Sequence, residues 1–211
     1  MAGLRLVLAS NNAKKLSELR ALLGDLAVDL VTQGSLGIHE AEEPHHSFIE
    51  NALAKARHAA TAAGGAAIAD DSGLCVDALG GAPGVISAHY AGEVAAAGER
   101  EARRRVQDAA NNARLLDALR GTTDRRAHFI CTLVAVRHAQ DPQPLVALGR
   151  WPGEILAAPR GTQGFGYDPL MFIPELGRTV AELDETTKNR HSHRARATAQ
   201  MRLLLQEVWH L

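Results

Sequence analysis

Cysteine is nearly missing from this chain: Cys75 and Cys131 are all there is, and neither stands in CxxC or CxxH spacing. That argues against a disulfide framework and a structural zinc site, and points to a reducing cytoplasm. Long apolar runs are missing too. No stretch approaches the roughly 18 to 20 residues of a membrane span, and the N-terminus has no long hydrophobic region of a signal peptide, so a soluble, unprocessed protein is expected. Nor is there an excess of charge, with 23 basic against 24 acidic residues. Nothing draws such a chain to long nucleic acid or to an anionic membrane, and any anion site must be local. The glycines and the GK[ST] ending of a Walker A loop are absent as well. What is present is 46% hydrophobic content over 211 residues, enough for a sizeable core in one domain or in two closely joined lobes.

Leu4 to Ala9 reads as a strand, and after Ser10-Asn11-Asn12 the spacing of Leu16, Leu19, Leu22 and Leu23 turns helical as far as Gly24. A second strand covers Val28 to Thr32, followed by an acidic loop from Gly34 to His46. Ser47-Phe48-Ile49-Glu50 has the pattern of a capping box, opening an alanine-rich helix that stops at Gly64-Gly65. Short strands are expected at Ala66 to Ala69 and Leu74 to Ala78, around a turn at Asp70-Asp71-Ser72-Gly73. Glu99 to Leu119 reads as a helix with a buried stripe of Val106, Ala109, Ala110, Ala113 and Leu116. Ala127 to Arg137 and Leu145 to Arg150 form a hairpin across Asp141-Pro142-Gln143-Pro144, with a further strand at Gly153 to Ala157. Ser192 caps a last helix from His193 to Val208. Interspersed helices and strands favour an α/β fold with a mixed sheet.

Three segments carry candidate chemistry. The turn Ser10-Asn11-Asn12-Ala13-Lys14-Lys15 exposes helix N-terminal amides and two lysines to an anion, though it also suits an ordinary capped helix. Asp70 and Asp71 end an apolar strand and face opposite ways, so they do not share a role; a solvated turn is the plainer alternative. If the acidic loop Glu40-Ala41-Glu42-Glu43 folds over the same site, carboxylates from two segments suit octahedral Mg²⁺. Asn51 and Lys55 share one helix face, where Lys55 is a second cation for phosphate. In Gly164-Phe165-Gly166-Tyr167-Asp168-Pro169 the aromatics offer a base a stacking surface or else plug a tight turn, while Lys188, His193 and Arg194 supply donors.

In order along residues 5 to 197, these segments together with Phe48 to Ala52, Ala67 to Leu74, Ala78 to Gly84 and Ser192 to Arg194 resemble the inosine triphosphate pyrophosphatase family. That family removes non-canonical purine nucleoside triphosphates from the nucleotide pool. The resemblance implies an elongated mixed sheet flanked by helices, a single domain over 1–211 in two lobes with the active site in the cleft between them, and a cytoplasmic homodimer without nucleic-acid or membrane partners. It implies Mg²⁺ held by Glu42, with Glu43 a close competitor, and by Asp71, which is also the general base; Lys15 and Lys55 act with it. Ser10, Asn11, Asn12, Ala13, Lys14 and Lys15 would hold the triphosphate, Ser72 would touch substrate, and Phe165, Gly166, Tyr167, Asp168, Lys188, His193 and Arg194 would recognise the purine. Ser10-Asn11 replaces the Thr-Gly of many relatives, and asparagine tolerates the left-handed backbone that glycine permits.

The implied reaction is hydrolysis of ITP, dITP or XTP between the α and β phosphates. Maf-like nucleotide pyrophosphatases are the nearest rival among enzymes, and a nucleotide-binding regulatory module is the rival from another class.

Overall fold

The computed structural model describes residues 3–24, 26–95 and 97–211, and of Ala13, Lys14, Leu22 and Arg100 the backbone only. The chain runs β1 (Leu4–Leu8), α1 (Ala13–Leu23), β2 (Val28–Thr32), α2 (Phe48–Ala63), β3 (Ala66–Val76) and α3 (Arg100–Ala118). It continues with β4 (Arg126–Val136), β5 (Leu145–Ile155), β6 (Met171–Ile173), β7 (Arg178–Thr179), α4 (Glu185–His191) and α5 (His193–Trp209). Among the described residues the strands form a seven-stranded sheet in the order β2-β1-β3-β4-β5-β6-β7. β1 is parallel to β2 and β3, whereas β6 is antiparallel to both β5 and β7. This is the mixed α/β sheet that the interspersed pattern implies.

The chain divides into two compact units: Met1–Ser72 with Cys131–Gly149 and Ser192–Leu211, and Gly73–Ile130 with Arg150–His191. In the first unit Leu6–Leu8 of β1 and Ala66–Ala69 of β3 are buried on both faces, which is why those stretches are apolar at successive positions. Period-two alternation sends Leu6, Leu8, Ala66 and Ile68 into a core shared with Leu19 and Leu23 of α1 and Met201 and Leu205 of α5. It sends Val7, Ala9, Ala67 and Ala69 into another, where Ala52, Ala56, Ala59 and Ala60 bring α2 close to the sheet. The second unit is built around Trp151, Leu115, Leu119, Leu170 and Met171.

Several details depart from the sequence-based expectation. β3 is one strand through Asp70 and Asp71, with no turn there, because both carboxylates find cationic partners within the fold and need not escape to water. β5 likewise runs unbroken past Pro152, which stands on the exposed side of the strand. The buried stripe of α3 is misassigned: Val106, Ala109 and Ala113 are exposed, and Asn111, Leu115 and Leu119 face inward. The reason is that Asn111 earns its burial with hydrogen bonds to the backbone at Ala88 and Ala91, while an alanine methyl has little area to hide. The box at α2 closes differently as well. Ser47 accepts from the Glu50 amide, but the Glu50 carboxylate accepts from the Ser47 hydroxyl. Asn11 does not use the left-handed region; His210 is the only described non-glycine residue that does.

Candidate functional site

Alternation along β3 builds the site in the first unit. Asp70 follows Ala66 and Ile68 on the face covered by α1 and α5, and Asp71 follows Ala67 and Ala69 on the face covered by α2. Asp70 is 4% exposed. Its carboxylate lies 2.9 Å from Lys15 Nζ and 3.5 Å from Arg194 Nη2, and Ser72 Oγ donates to it at 3.2 Å. Burial alone would raise this carboxyl, yet Lys15 and Arg194 hold it far below the usual carboxylate range. Arg194 also donates to Glu18 of α1 at 2.8 Å.

Lys15 is delivered by the β1–α1 turn. Ser10 Oγ accepts from the Asn12 amide at 3.2 Å, and Asn12 Oδ1 accepts from the Lys15 amide at 3.4 Å, so Asn12 serves as the helix cap. Asn11 Nδ2 donates to Glu40 at 3.2 Å, tying the turn to the acidic loop. A Cβ on Gly34 would strike the Asn11 side chain, so a larger residue there would push Asn11 aside. The side chains of Ala13 and Lys14, both expected to face a triphosphate, lie outside the described residues.

On the other face, Asn51 Nδ2 donates to Asp71 Oδ2 at 3.2 Å, and Lys55 Nζ, one helical turn later, lies 3.3 Å from Asp71 Oδ1. Lys55 also pairs with Glu43 at 3.1 Å. Asn51 anchors the acidic loop besides, its Oδ1 accepting from the His45 amide at 3.0 Å. Burial pushes the Asp71 carboxyl up to about 6 against the pull of Lys55, with Glu43 adding to the rise. Burial opposes the charge of Lys55, but Asp71, Asp70 and Glu43 together raise its pKa. A carboxylate poised near neutrality between an amide donor and an ammonium can take a proton from water.

Glu43 is thus the loop carboxylate brought to Lys55. Glu42 is exposed, and no hydrogen bond or ion pair ties it to another described residue. Asn51 and Asp70 were singled out in the sequence beside Lys55 and Asp71 but given no role of their own, and Glu18 had no signal there at all.

In the second unit the Gly164–Asp168 loop separates its aromatics. Tyr167 is 5% exposed and donates to the Ser87 carbonyl at 2.8 Å, so it plugs the core. Phe165 is 38% exposed, with Lys188 Nζ 4.7 Å from its ring centre. Asp168 fastens the loop, accepting from the Phe165 amide at 2.9 Å and from Lys188 at 2.6 Å. Gly164, at φ +77°, leaves room for the Asp168 carboxylate where a Cβ would clash. Of the expected purine donors, Lys188 sits at the Phe165 ring; in the first unit Arg194 packs against Asp70 and Glu18, and His193 opens α5.

The sequence model of the Ham1 family matches residues 6–204. The chain is similar to a dITP/XTP pyrophosphatase of Methylibium petroleiphilum, 70% identical over 206 residues that cover 98% of this chain and 99% of the relative. It is also similar to a dITP/XTP pyrophosphatase of Burkholderia pseudomallei, 57% identical over 97% of this chain and 94% of the relative. Among solved structures, a HAM1 protein from Coxiella burnetii superposes with a TM-score of 0.89 at 43% identity, covering 97% of this chain and 100% of that one.

Proposed function

The chain belongs to the Ham1 family, and from that premise we propose that it hydrolyses the non-canonical purine nucleotides dITP, XTP and ITP to the monophosphate and pyrophosphate. The observation that carries the chemistry is Asp71, raised to about 6 and held between Asn51 and Lys55. In this reaction a bond forms between the water oxygen and the α-phosphorus as the bond from that phosphorus to the bridging oxygen breaks. Asp71 takes the proton of the water, and pyrophosphate leaves with the bonding electron pair. Lys15, Lys55 and the amides of the 10–15 turn stabilise charge on the phosphates, so most of the catalysis is positioning plus electrostatics.

Mg²⁺ fits the donor set. Asp71 and the acidic loop bring carboxylate oxygens from two segments around one ammonium, and Mg²⁺ commonly takes one or two carboxylates, with phosphate and water filling the remaining positions. Asp71 with Glu42 or Glu43 would hold it, and it would neutralise phosphate charge when bound. The exposed ring of Phe165 and the cation of Lys188 suit a stacked purine, and His193 and Arg194 are proposed to support its recognition. Ser72 is proposed as a further substrate contact, and the active form as a homodimer, which light scattering tests.

The deciding experiment is pyrophosphate release with Mg²⁺ from dITP, XTP, dATP, dGTP, dCTP, dTTP and dUTP in parallel. Strong turnover of dITP and XTP with little of the rest is expected. A pyrimidine preference would move the chain to the Maf-like reading, and no release from any would leave a binding module.

A further inference from the structure

α3 turns Arg104, Asp108 and Asn112 toward the Phe165 loop at successive helical turns, and none of them has a part in the reading above. Asp108 Oδ2 accepts from the Gly166 amide at 2.8 Å, and Asn112 Nδ2 donates to the Gly166 carbonyl at 2.9 Å. Together they clamp the backbone beside Phe165. The guanidinium carbon of Arg104 stands 4.2 Å from the Phe165 ring centre, and its Nε lies 3.9 Å from Asp108 Oδ2.

We propose that Arg104 reads the base, donating from its guanidinium to O6 and N7 of a 6-keto purine stacked on Phe165. The inference rests on the purine pyrophosphatase reading and adds to it a residue that fixes specificity. At 4.2 Å the guanidinium occupies the layer above the ring that a stacked base would enter. An incoming base would have to move it along the ring face to the edge of the base, and Asp108, with Oδ2 3.9 Å from Arg104 Nε, is the carboxylate at hand to hold it there. The O6/N7 edge of hypoxanthine or xanthine presents two acceptors side by side, the match for an arginine fork; adenine offers N7 beside an amino group, which leaves one fork donor facing another donor. Lys188, also at this ring, is a point charge engaged by Asp168 at 2.6 Å and offers no fork to the O6/N7 pair. Guanine carries the same O6/N7 edge, so this contact rejects adenine and not guanine.

The test is kcat/KM for dITP, 7-deaza-dITP and dATP with the wild-type protein, Arg104→Ala and Arg104→Lys, the last keeping the charge over Phe165 without the fork. We expect Arg104→Ala to lose about ten- to hundredfold on dITP with little change on dATP. Removing N7 from the substrate should cost the wild-type protein but neither Arg104→Ala nor Arg104→Lys, so the lysine variant carries the test if the alanine variant does not fold. Equal losses on dITP and dATP, or an unchanged ratio, would overturn the inference by reducing Arg104 to a prop for Phe165. Wild-type protein that turns over dATP as fast as dITP would overturn the functional reading and this inference with it, an outcome visible without any variant.

Discussion

Asp70 and Asp71 are adjacent in sequence, and their carboxylates go to different lysines: Asp70 Oδ1 lies 2.9 Å from Lys15 Nζ, and Asp71 Oδ1 lies 3.3 Å from Lys55 Nζ. One peptide bond therefore separates a fixed anion from a titrating one. Asp70 also has Arg194 and stays ionised, whereas Asp71 shares its single lysine with Glu43 and is pushed up to about 6. Fixing Lys15 and accepting a proton are incompatible tasks for one carboxyl, and the pleat of the strand divides them.

The two carboxyls should impose opposite pH dependences on stability. Asp70 is held below its unfolded value near 4, so its contribution is present above about pH 4 and is lost as pH falls through the folded value. Asp71 is raised to about 6, so its contribution is complete below about pH 4 and is lost as pH rises through 6. In chelator, Asp71→Asn should gain on the wild-type protein between pH 4 and 7, by about 3 kcal/mol at most. Asp70→Asn should lose roughly 3 to 5 kcal/mol at pH 7, because it strands the part-buried Lys15 and Arg194 cations. Urea midpoints at pH 4, 5, 6 and 7 measure both, and a flat Asp71→Asn difference would contradict the assignment.

Asp71→Asn should also remove turnover while keeping the fold. Asparagine can still accept from Asn51 and Lys55 but cannot take a proton, so kcat for dITP should fall about 10²- to 10⁴-fold. Thermal unfolding near neutral pH should show no loss of cooperativity. Near-normal kcat in this variant would move the base elsewhere.

Strand and helix periodicity made the architecture legible. Leu6 and Leu8 against Val7 and Ala9 declare a doubly buried strand, and Ser47 and Gly64 bound α2 as their residue types dictate. The same period-two logic already separated Asp70 from Asp71. The buried face of α3 was not legible, because Asn111 looks like a surface residue until the Ala88 and Ala91 backbone is placed beside it. That error rotated the helix and hid Arg104, Asp108 and Asn112. Neither could spacing show that Arg194 meets Glu18 across 176 positions of chain, since tertiary packing alone makes that pair.

The acidic loop offers two candidate metal ligands, and the geometry separates them. Both are exposed, but Glu43 pairs with Lys55 at 3.1 Å, beside Asp71, and no hydrogen bond or ion pair ties Glu42 to another described residue. Glu43→Gln should raise the Mg²⁺ concentration for half-maximal turnover about ten- to hundredfold, with Glu42→Gln close to wild type. Magnesium titration of both variants at saturating dITP measures this, and the reverse order would make Glu42 the ligand.

Phe165 and Tyr167 should part in opposite directions under mutation. Phe165 is exposed beside two cations, so Phe165→Ala removes a stacking face and little core: KM for dITP should rise about tenfold or more while the unfolding temperature stays near wild type. Tyr167 is buried and its hydroxyl donates to the Ser87 carbonyl at 2.8 Å, so Tyr167→Phe should cost about 1 kcal/mol of stability and leave KM unchanged. Steady-state kinetics and thermal melts on the same two variants read both effects. If Tyr167→Phe raised KM as much as Phe165→Ala without lowering stability, the base would be read by the phenol, and the division of this loop into a stacking ring and a core plug would fail.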